Sequence, residues 1–141
     1  SLGLGPEFDE PLMARLAAAR RDDLRKAHGV APRLAAAAAR AFVMPDAAWS
    51  RRAMSAFANE LANDDPGRAQ AVLVPDARGG YAISVRSPGG GGPAAHEFCR
   101  RYPTGGGRAR AAGVQHLERE RVDEFLEAFA LAWTGREAAR P

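Results

Sequence analysis

The chain alternates between stretches whose apolar residues recur at helical spacing and stretches whose apolar residues recur at every second position. The clearest helical pattern lies near the C-terminus, where the apolar positions are Val122, Phe125, Leu126, Phe129 and Trp133. This spacing predicts an amphipathic helix with one buried face. Similar patterns predict helices from Asp9 to about residue 27, from Asp46 through Leu61, and from Ala94 to about Tyr102.

The segment from Pro32 to Pro45 combines an alanine run with a short apolar stretch. Pro32, Leu34 and the run Ala35–Ala39 predict a second helix, because alanine has the highest helix propensity of the amino acids. Alanine side chains bury little area, so we expect this helix to pack closely against a neighbour. Ala41–Met44 is then predicted as a short strand that ends at Pro45.

The central part of the chain changes to a period of two, which is typical of β-strands. Ala71–Pro75 is a compact apolar run, and Tyr81–Arg86 alternates apolar with small or polar residues. The turn-forming residues of Asp76–Gly80 join the two runs, so a β-hairpin is predicted here. Four consecutive glycines make Pro88–Pro93 a loop, and Val114–Leu117 is predicted as a further strand. Helices and strands therefore alternate along the chain, as in an α/β layered fold.

Composition and charge narrow the possible classes of protein. No stretch approaches the ~18 unbroken apolar residues of a membrane-spanning helix, so we expect no membrane insertion. The single cysteine, Cys99, excludes an internal disulfide and a metal site built from several cysteines, and it fits a cytoplasmic location. The net charge of +3 is a weak signal, but six arginines and one acidic residue lie between Arg78 and Arg110. A local excess of this kind predicts a surface that binds anions.

The chain lacks the motifs of several enzyme classes. The three histidines, His28, His96 and His116, lie far apart, and none belongs to an H-E-x-x-H motif or a Cys/His cluster. His96 and Cys99 fall on one predicted helix, but this spacing alone is weak support for a catalytic pair. A G-x-S-x-G motif is absent, and the glycine runs lack the Gly-Lys-Ser/Thr ending of a P-loop. The sequence therefore indicates no catalytic group on its own.

The second glycine run stands between a predicted helix end and a predicted strand. One or two glycines would suffice for the turn that follows a helix, and Gly105–Gly107 supplies three. The surplus glycine lets backbone N–H groups approach a ligand closely and permits the positive φ angles of an anion-binding loop. Arg108 beside the run and Arg86 at a strand end can supply charge and a flat stacking surface. These features favour a loop that binds a ligand.

Two motifs in this region carry a resemblance to a known family. The first is Ile-Ser-Val-Arg-Ser over residues 83–87, in which a strand ends in Arg-Ser. The second follows about twenty residues later and runs Gly-Gly-Gly-Arg-Ala-Arg-Ala-Ala-Gly from Gly105 to Gly113. Over roughly residues 40–134 the chain resembles the DHHA1 domain, whose pattern is Arg-Ser, then Gly-Gly-Gly-His, then Ala-Ala-Gly. This domain is the C-terminal, substrate-binding part of DHH-family phosphoesterases and also occurs in alanyl-tRNA synthetases.

The resemblance implies a fold and a domain organisation. We expect a mixed β-sheet of about four to five strands flanked by helices and preceded by an N-terminal helical segment. Residues 1–39 would be a helical linker from a missing N-terminal catalytic domain, and residues 40–141 would form the DHHA1-like domain. The family's metal centre needs an Asp-His-His sequence, which this chain lacks. We therefore expect no cofactor and no hydrolysis in this chain alone, and Mn²⁺-dependent phosphoesterase activity in the parent protein.

Carried over residue by residue, the resemblance implies a substrate-binding site without a catalytic group. The Arg-Ser pair contacts the phosphate or base of the bound nucleotide, and the glycine run clamps the substrate. Arginine at position 108 stands where the family has histidine; it can stack on a base or pair with a phosphate, but it cannot act as a neutral acceptor near pH 7. The candidate substrate-binding residues are Arg86, Ser87, Gly105, Gly106, Gly107, Arg108 and Arg110.

The function implied by the resemblance is that of a nucleotide-binding or nucleic-acid-binding domain. Its expected partners are a short oligonucleotide, a dinucleotide or another phosphodiester, together with the N-terminal DHH domain. Two alternatives stay open. The chain could be a small self-sufficient enzyme of acyl or phosphoryl transfer whose catalytic groups are not recognised, or it could be a structural or oligomerisation domain.

Overall fold

One mixed sheet organises the fold in the computed structural model, which describes residues 6–135. Within these residues the sheet has six strands: β1 (Leu34–Ala35), β2 (Ala39–Val43), β3 (Ala69–Pro75), β4 (Gly80–Arg86), β5 (Gly105–Gly107) and β6 (Ala111–Glu118). They lie in the order β1-β2-β3-β4-β6-β5. β2 and β3 run parallel, and the other four neighbouring pairs are antiparallel. The predicted α/β class and mixed sheet are confirmed, with six strands instead of four to five.

The helices of the described range are α1 (Pro6–His28), α2 (Ala48–Asp64), α3 (Ala95–Cys99) and α4 (Val122–Ala130). A 3₁₀ turn, Arg119–Arg121, leads into α4, and a π-helical turn, Leu131–Gly135, extends it. The predicted N-terminal helix is confirmed, because α1 precedes the sheet. From Pro6 to Gly135 no helix combines the length and the apolar character needed to cross a bilayer. The predicted domain limits at residues 1 and 141 lie outside the described residues.

The two faces of the sheet carry two hydrophobic clusters. α3 and α4 cover one face with an aromatic cluster: Phe98, Tyr102, Phe125, Phe129 and Trp133. α2, with α1 packed against it, covers the other face through Phe57 and Leu61. On this second face β6 is incompletely covered, since Ala111 and Gly113 are half-buried and Gln115 is exposed. The sheet surface over β6 and β5 therefore stays open beside α2.

The predicted helix over the alanine run is wrong. The segment forms β1, a turn in which the Ala36 N–H donates to the Ala39 carbonyl over 2.9 Å, and the start of β2. Four alanines of β2 and β3 are completely buried: Ala39, Ala41, Ala69 and Ala71. Their small side chains let α4 pack against β2. Tertiary packing therefore overrides the helix propensity of alanine here.

Other predicted elements are confirmed with shifted ends. β3 and β4 form the predicted antiparallel hairpin, and the apolar face of α4 is buried as predicted. Asp46 does not cap α2, because the helix begins at Ala48 and the Asp46 carboxylate instead accepts a hydrogen bond from Arg51 over 2.9 Å. α3 ends at Cys99, earlier than the predicted end near Tyr102.

Candidate functional site

Two arginines, Arg86 and Arg108, are both neighbours of Ala111 in β6. Arg86 is the last residue of β4 and lies directly opposite Ala111 of β6. Arg108 follows β5, and its N–H donates to the Ala111 carbonyl over 2.8 Å. Ala111 is therefore the register partner of Arg86 and the backbone hydrogen-bond partner of Arg108. The structure brings these two predicted site residues together.

The Arg86 guanidinium is held by neutral groups. Its Nε donates to Asn59 Oδ1 over 2.9 Å, its Nη1 donates to the Val85 carbonyl over 3.2 Å, and its Nη2 donates to Ser55 Oγ over 3.5 Å. Burial lowers the pKa of Arg86, and repulsion from Arg108 lowers it further. Within residues 6–135 neither arginine forms an ion pair with a carboxylate. Their positive charges are therefore available to an anion.

An open groove of about 580 Å³ lies next to this pair, between α2 and β5. Its floor contains Gly106 and Gly113, which lie opposite each other in the register of β5 and β6. Met54 of α2 forms one wall, and Thr104 and Gln115 line the end that is farther from the arginines. Because glycine has no side chain, the backbone of both strands is accessible to a ligand in the groove.

The second glycine run forms the edge strand β5 and not the predicted loop. Packing and backbone conformation require two of its three glycines. A side chain at Gly105 would collide with the Cys99 carbonyl of α3, while Gly107 has a φ of 140° and its added Cβ would stand 2.5 Å from Ala112 Cα. At Gly106 an added Cβ would meet nothing within 4 Å, and φ is not positive. Glycine at this position is therefore not explained by the fold.

Ser87 and Arg110 lie near Arg86 and, like Arg86 and Arg108 themselves, do not line the groove. Ser87 is almost completely buried; its Oγ donates to the Ala109 carbonyl over 3.0 Å, and its N–H donates to the Arg110 carbonyl over 3.1 Å. These bonds join the end of β4 to the start of β6. Arg110 is exposed and lines a second pocket of about 350 Å³ together with Arg68 and Arg86. Ser87 therefore connects the end of β4 to the start of β6, and Arg110 lines the same second pocket as Arg86.

The groups that the sequence offered for catalysis or metal binding are not brought together. Cys99 is completely buried, and burial raises the pKa of its thiol to about 12 although Arg86 opposes the shift. His96 Nδ1 is buried without a hydrogen-bond partner, and within residues 6–135 no side-chain hydrogen bond joins His96 to Cys99. In the described part of the chain, no group of three or more His, Cys, Asp or Glu residues could hold the Mn²⁺ ion that the resemblance implies for the parent protein.

Several residues of the site carry no signal in the sequence. Met54, Ser55 and Asn59 are ordinary positions of an amphipathic helix, and only the packing of α2 on the sheet brings them to Arg86 and the groove. Gln115 is different. It follows the Ala-Ala-Gly motif by two positions, and strand alternation places it on the same face as Gly113. That residue could have been found from the sequence.

These features define a small α/β domain with an open, glycine-floored groove beside two arginines that form no ion pair in the described part of the chain. The family model of the DHHA1 domain matches residues 34–133, which is more than half of the chain, so the chain belongs to the DHHA1 family. The match begins at β1 and thus includes the strand that the sequence had predicted as helix. DHHA1 domains are C-terminal domains of DHH-family proteins. No curated protein matches the chain.

Proposed function

We propose that this chain is the substrate-binding domain of a DHH-family phosphoesterase. The ligand is a phosphodiester of a short oligonucleotide or a dinucleotide, and it lies in the groove with a phosphate at Arg86 and Arg108. Membership of the DHHA1 family implies association with a DHH domain, which supplies the Mn²⁺-dependent hydrolysis. This chain supplies binding, through two positive charges and an accessible backbone.

The absence of a side chain at Gly106 is the observation that carries this proposal. Its two neighbours are glycines because the fold leaves no room for a side chain or needs a positive φ. Gly106 has neither constraint, and a strand position favours β-branched residues over glycine. A glycine that weakens a strand without serving its packing is explained when something else approaches the backbone there.

The two arginines supply the matching charge. Arg86 and Arg108 repel each other, and this repulsion adds to burial in lowering the pKa of Arg86. A phosphate placed between them replaces this repulsion by two attractions, and guanidinium groups match phosphate oxygens in geometry as well as in charge. The neutral acceptors Asn59 and Ser55 hold Arg86 without competing for its charge. The site thus favours an anion over a neutral ligand.

Substitution of Gly106 tests the proposal. Gly106→Val places a side chain in open space on the groove floor, so the protein should fold with an unchanged melting temperature. Binding of the dinucleotide ApA, measured by isothermal titration calorimetry, should fall below detection because the side chain occupies the ligand's position. The matched control is Gly67→Val, since an added Cβ at Gly67 also meets nothing within 4 Å but lies outside the groove.

The Gly67→Val control distinguishes an effect of valine inside the groove from a general effect of replacing glycine by valine. Gly67→Val should bind ApA as the parent chain does. Equal ApA affinities for Gly106→Val, Gly67→Val and the parent chain would show that the groove is not the binding site and would overturn the proposal.

A further inference from the structure

Among the described residues, one of the two polar side chains that line the groove makes hydrogen bonds within the protein, and the other makes none. Thr104 and Gln115 are the two lining residues with polar side chains in the described part of the chain. Thr104 Oγ1 donates to the His116 carbonyl over 3.1 Å and accepts from the His116 N–H over 3.0 Å, so its one donor is already used within the protein. The Gln115 side chain is exposed, and within residues 6–135 it makes no hydrogen bond. Its amide is therefore free to meet a ligand.

A β-bulge interrupts the pairing of β4 with β6 at Gln115 and His116. The pairing of β4 with β6 is regular up to Ile83 opposite Val114 and resumes at Tyr81 opposite Leu117. Gln115 and His116 therefore share one partner position on β4, and bulges of this kind redirect side chains. His116 Nδ1 is bonded to Asp76 Oδ2 over 2.5 Å, and its side chain is 13% exposed. Gln115 is left at the end of the groove floor.

Along β6, the polar residue Gln115 lies well away from Ala111, the residue next to the two arginines. Gln115 lies four residues from Ala111, the residue that the two arginines flank, which is about 13 Å along a strand. Gly113 lies midway and carries no side chain, and Met54 of α2 forms one wall of the groove. The groove thus has an uncharged polar end at Gln115 and a flat apolar middle, and the arginine pair lies outside its lining, beside the opposite end. This order matches the edge of a nucleobase at Gln115, the face of the same base over the glycines, and the phosphate of the nucleotide at the arginine pair.

We infer that Gln115 recognises the edge of a nucleobase and makes the groove selective for adenine. The inference rests on the proposed function. A side-chain amide presents a donor and an acceptor side by side, and it pairs in bidentate fashion with the amino group and ring nitrogen of adenine. The base lies on the backbone of Gly106 and Gly113, its face contacts Met54, and its phosphate reaches Arg86 and Arg108.

Two forms of the full chain, the parent and Gln115→Met, test the assignment with two ligands, ApA and the same dinucleotide with purine in place of both adenines. Purine lacks the amino donor. The parent chain should prefer ApA by roughly 5- to 150-fold, the range that corresponds to one bidentate pair. Gln115→Met keeps the length of the side chain but removes both polar groups, so it should bind the two ligands equally.

A second substitution, Gln115→Glu, should change which base the groove prefers. A purely structural role of Gln115 would not produce such a change. The carboxylate of Gln115→Glu offers two acceptors and no donor, so it should shift preference from ApA to GpG, because guanine presents two neighbouring donors on its Watson–Crick edge. Melting temperatures of all variants should match that of the parent chain, because Gln115 is exposed.

The outcomes separate this inference from the proposed function. If Gly106→Val loses ApA binding while Gln115→Met keeps the parent preference, Gln115 does not recognise the base and only this inference fails. A parent chain that binds ApA and its purine analogue equally would likewise overturn this inference alone. If the parent chain binds neither dinucleotide, the proposed function and this inference fail together.

Discussion

Asn59 accepts a hydrogen bond from Arg86 Nε over 2.9 Å and so ties α2 to the end of β4. The contact fixes the position of a guanidinium without neutralising it. Elsewhere in the protein an arginine is held by a carboxylate, as where Arg52 Nε donates to Asp23 Oδ2 over 2.9 Å. A carboxylate in place of Asn59 would hold Arg86 at least as firmly. The amide therefore preserves a positive charge at the site, which is a property of a binding residue.

Two substitutions of Asn59 distinguish positioning from stability. Asn59→Ala removes the acceptor and should weaken ApA binding by about 1 kcal/mol, or roughly fivefold. Asn59→Asp keeps the acceptor but neutralises Arg86 and repels the phosphate, so binding should weaken more while the melting temperature is retained. Calorimetric titration and thermal unfolding measure the two effects. ApA affinity in Asn59→Asp equal to that of the parent chain would contradict the role assigned to Arg86.

The sequence was sufficient to predict those parts of the fold in which local pattern and tertiary packing agree. The hairpin of β3 and β4 and the buried face of α4 are examples, since the periodicity of each reports directly which residues face the core. The alanine run failed because its residues favour a helix locally, whereas the completely buried positions of Ala39 and Ala41 need small side chains in a strand. Only the neighbouring elements decide between these two uses of alanine.

The sequence motifs indicated which residues belong to the candidate site, but they did not indicate how the fold arranges them. The charge excess and the glycine run pointed to Arg86, Arg108 and Gly106, which the structure brings together. The expected glycine loop is an edge strand, because β6 offers a partner that no local pattern reveals. Asn59 reaches Arg86 across 27 positions of sequence separation, so nothing near Arg86 in the chain indicates how its charge is held.

Burial of two phenylalanines on α4 predicts a large loss of stability when either is truncated. Phe125 and Phe129 are completely inaccessible and pack edge-on against Phe98, with ring centroids 5.6 Å and 5.8 Å away. Phe125→Ala or Phe129→Ala should reduce the free energy of unfolding by about 3–5 kcal/mol, measured by urea denaturation. Leu131→Ala, at a position 64% exposed in the following turn, should change it by less than about 0.5 kcal/mol. Equal values for all variants would mean that α4 is not docked on the sheet.

The contacts of Asp76 predict a contribution to stability that disappears in acid. Burial raises the pKa of Asp76, but hydrogen bonds from His116 and from the N–H groups of Gly80 and Arg78 outweigh it, so the pKa lies below its usual value. A carboxyl group whose folded pKa is depressed stabilises the protein above the unfolded pKa of ~3.9 and loses that effect as pH falls through the folded value.

Asp76→Asn should therefore lower the melting temperature at pH 6, and the difference from the parent chain should shrink as the pH is reduced from 5 towards 3. Asp123→Asn, at a side chain 83% exposed, is the control and should change the melting temperature little at any pH. Thermal unfolding across this range is the measurement. A difference between Asp76→Asn and the parent chain that stays constant with pH would show that the carboxylate charge of Asp76 contributes nothing.

The position of Arg108 opposite Arg86 predicts an electrostatic role that salt can measure. Arg108→Ala should weaken ApA binding without lowering the melting temperature, because Arg108 is exposed and forms no ion pair with a carboxylate in the described part of the chain. If it neutralises one phosphate of a single-stranded ligand, such as a short oligoadenylate, the slope of log K against log salt should become shallower by about 0.7.

Arg78→Ala removes the same charge from the turn at the opposite end of β4, so it should leave both the affinity and the slope unchanged. A base-stacking role for Arg108 would instead lower the affinity by roughly 1–3 kcal/mol and leave the slope of the parent chain intact. Because Arg86 and Arg108 interact as charges in the free protein, we expect the shallower slope, and an unchanged slope would assign Arg108 to the base.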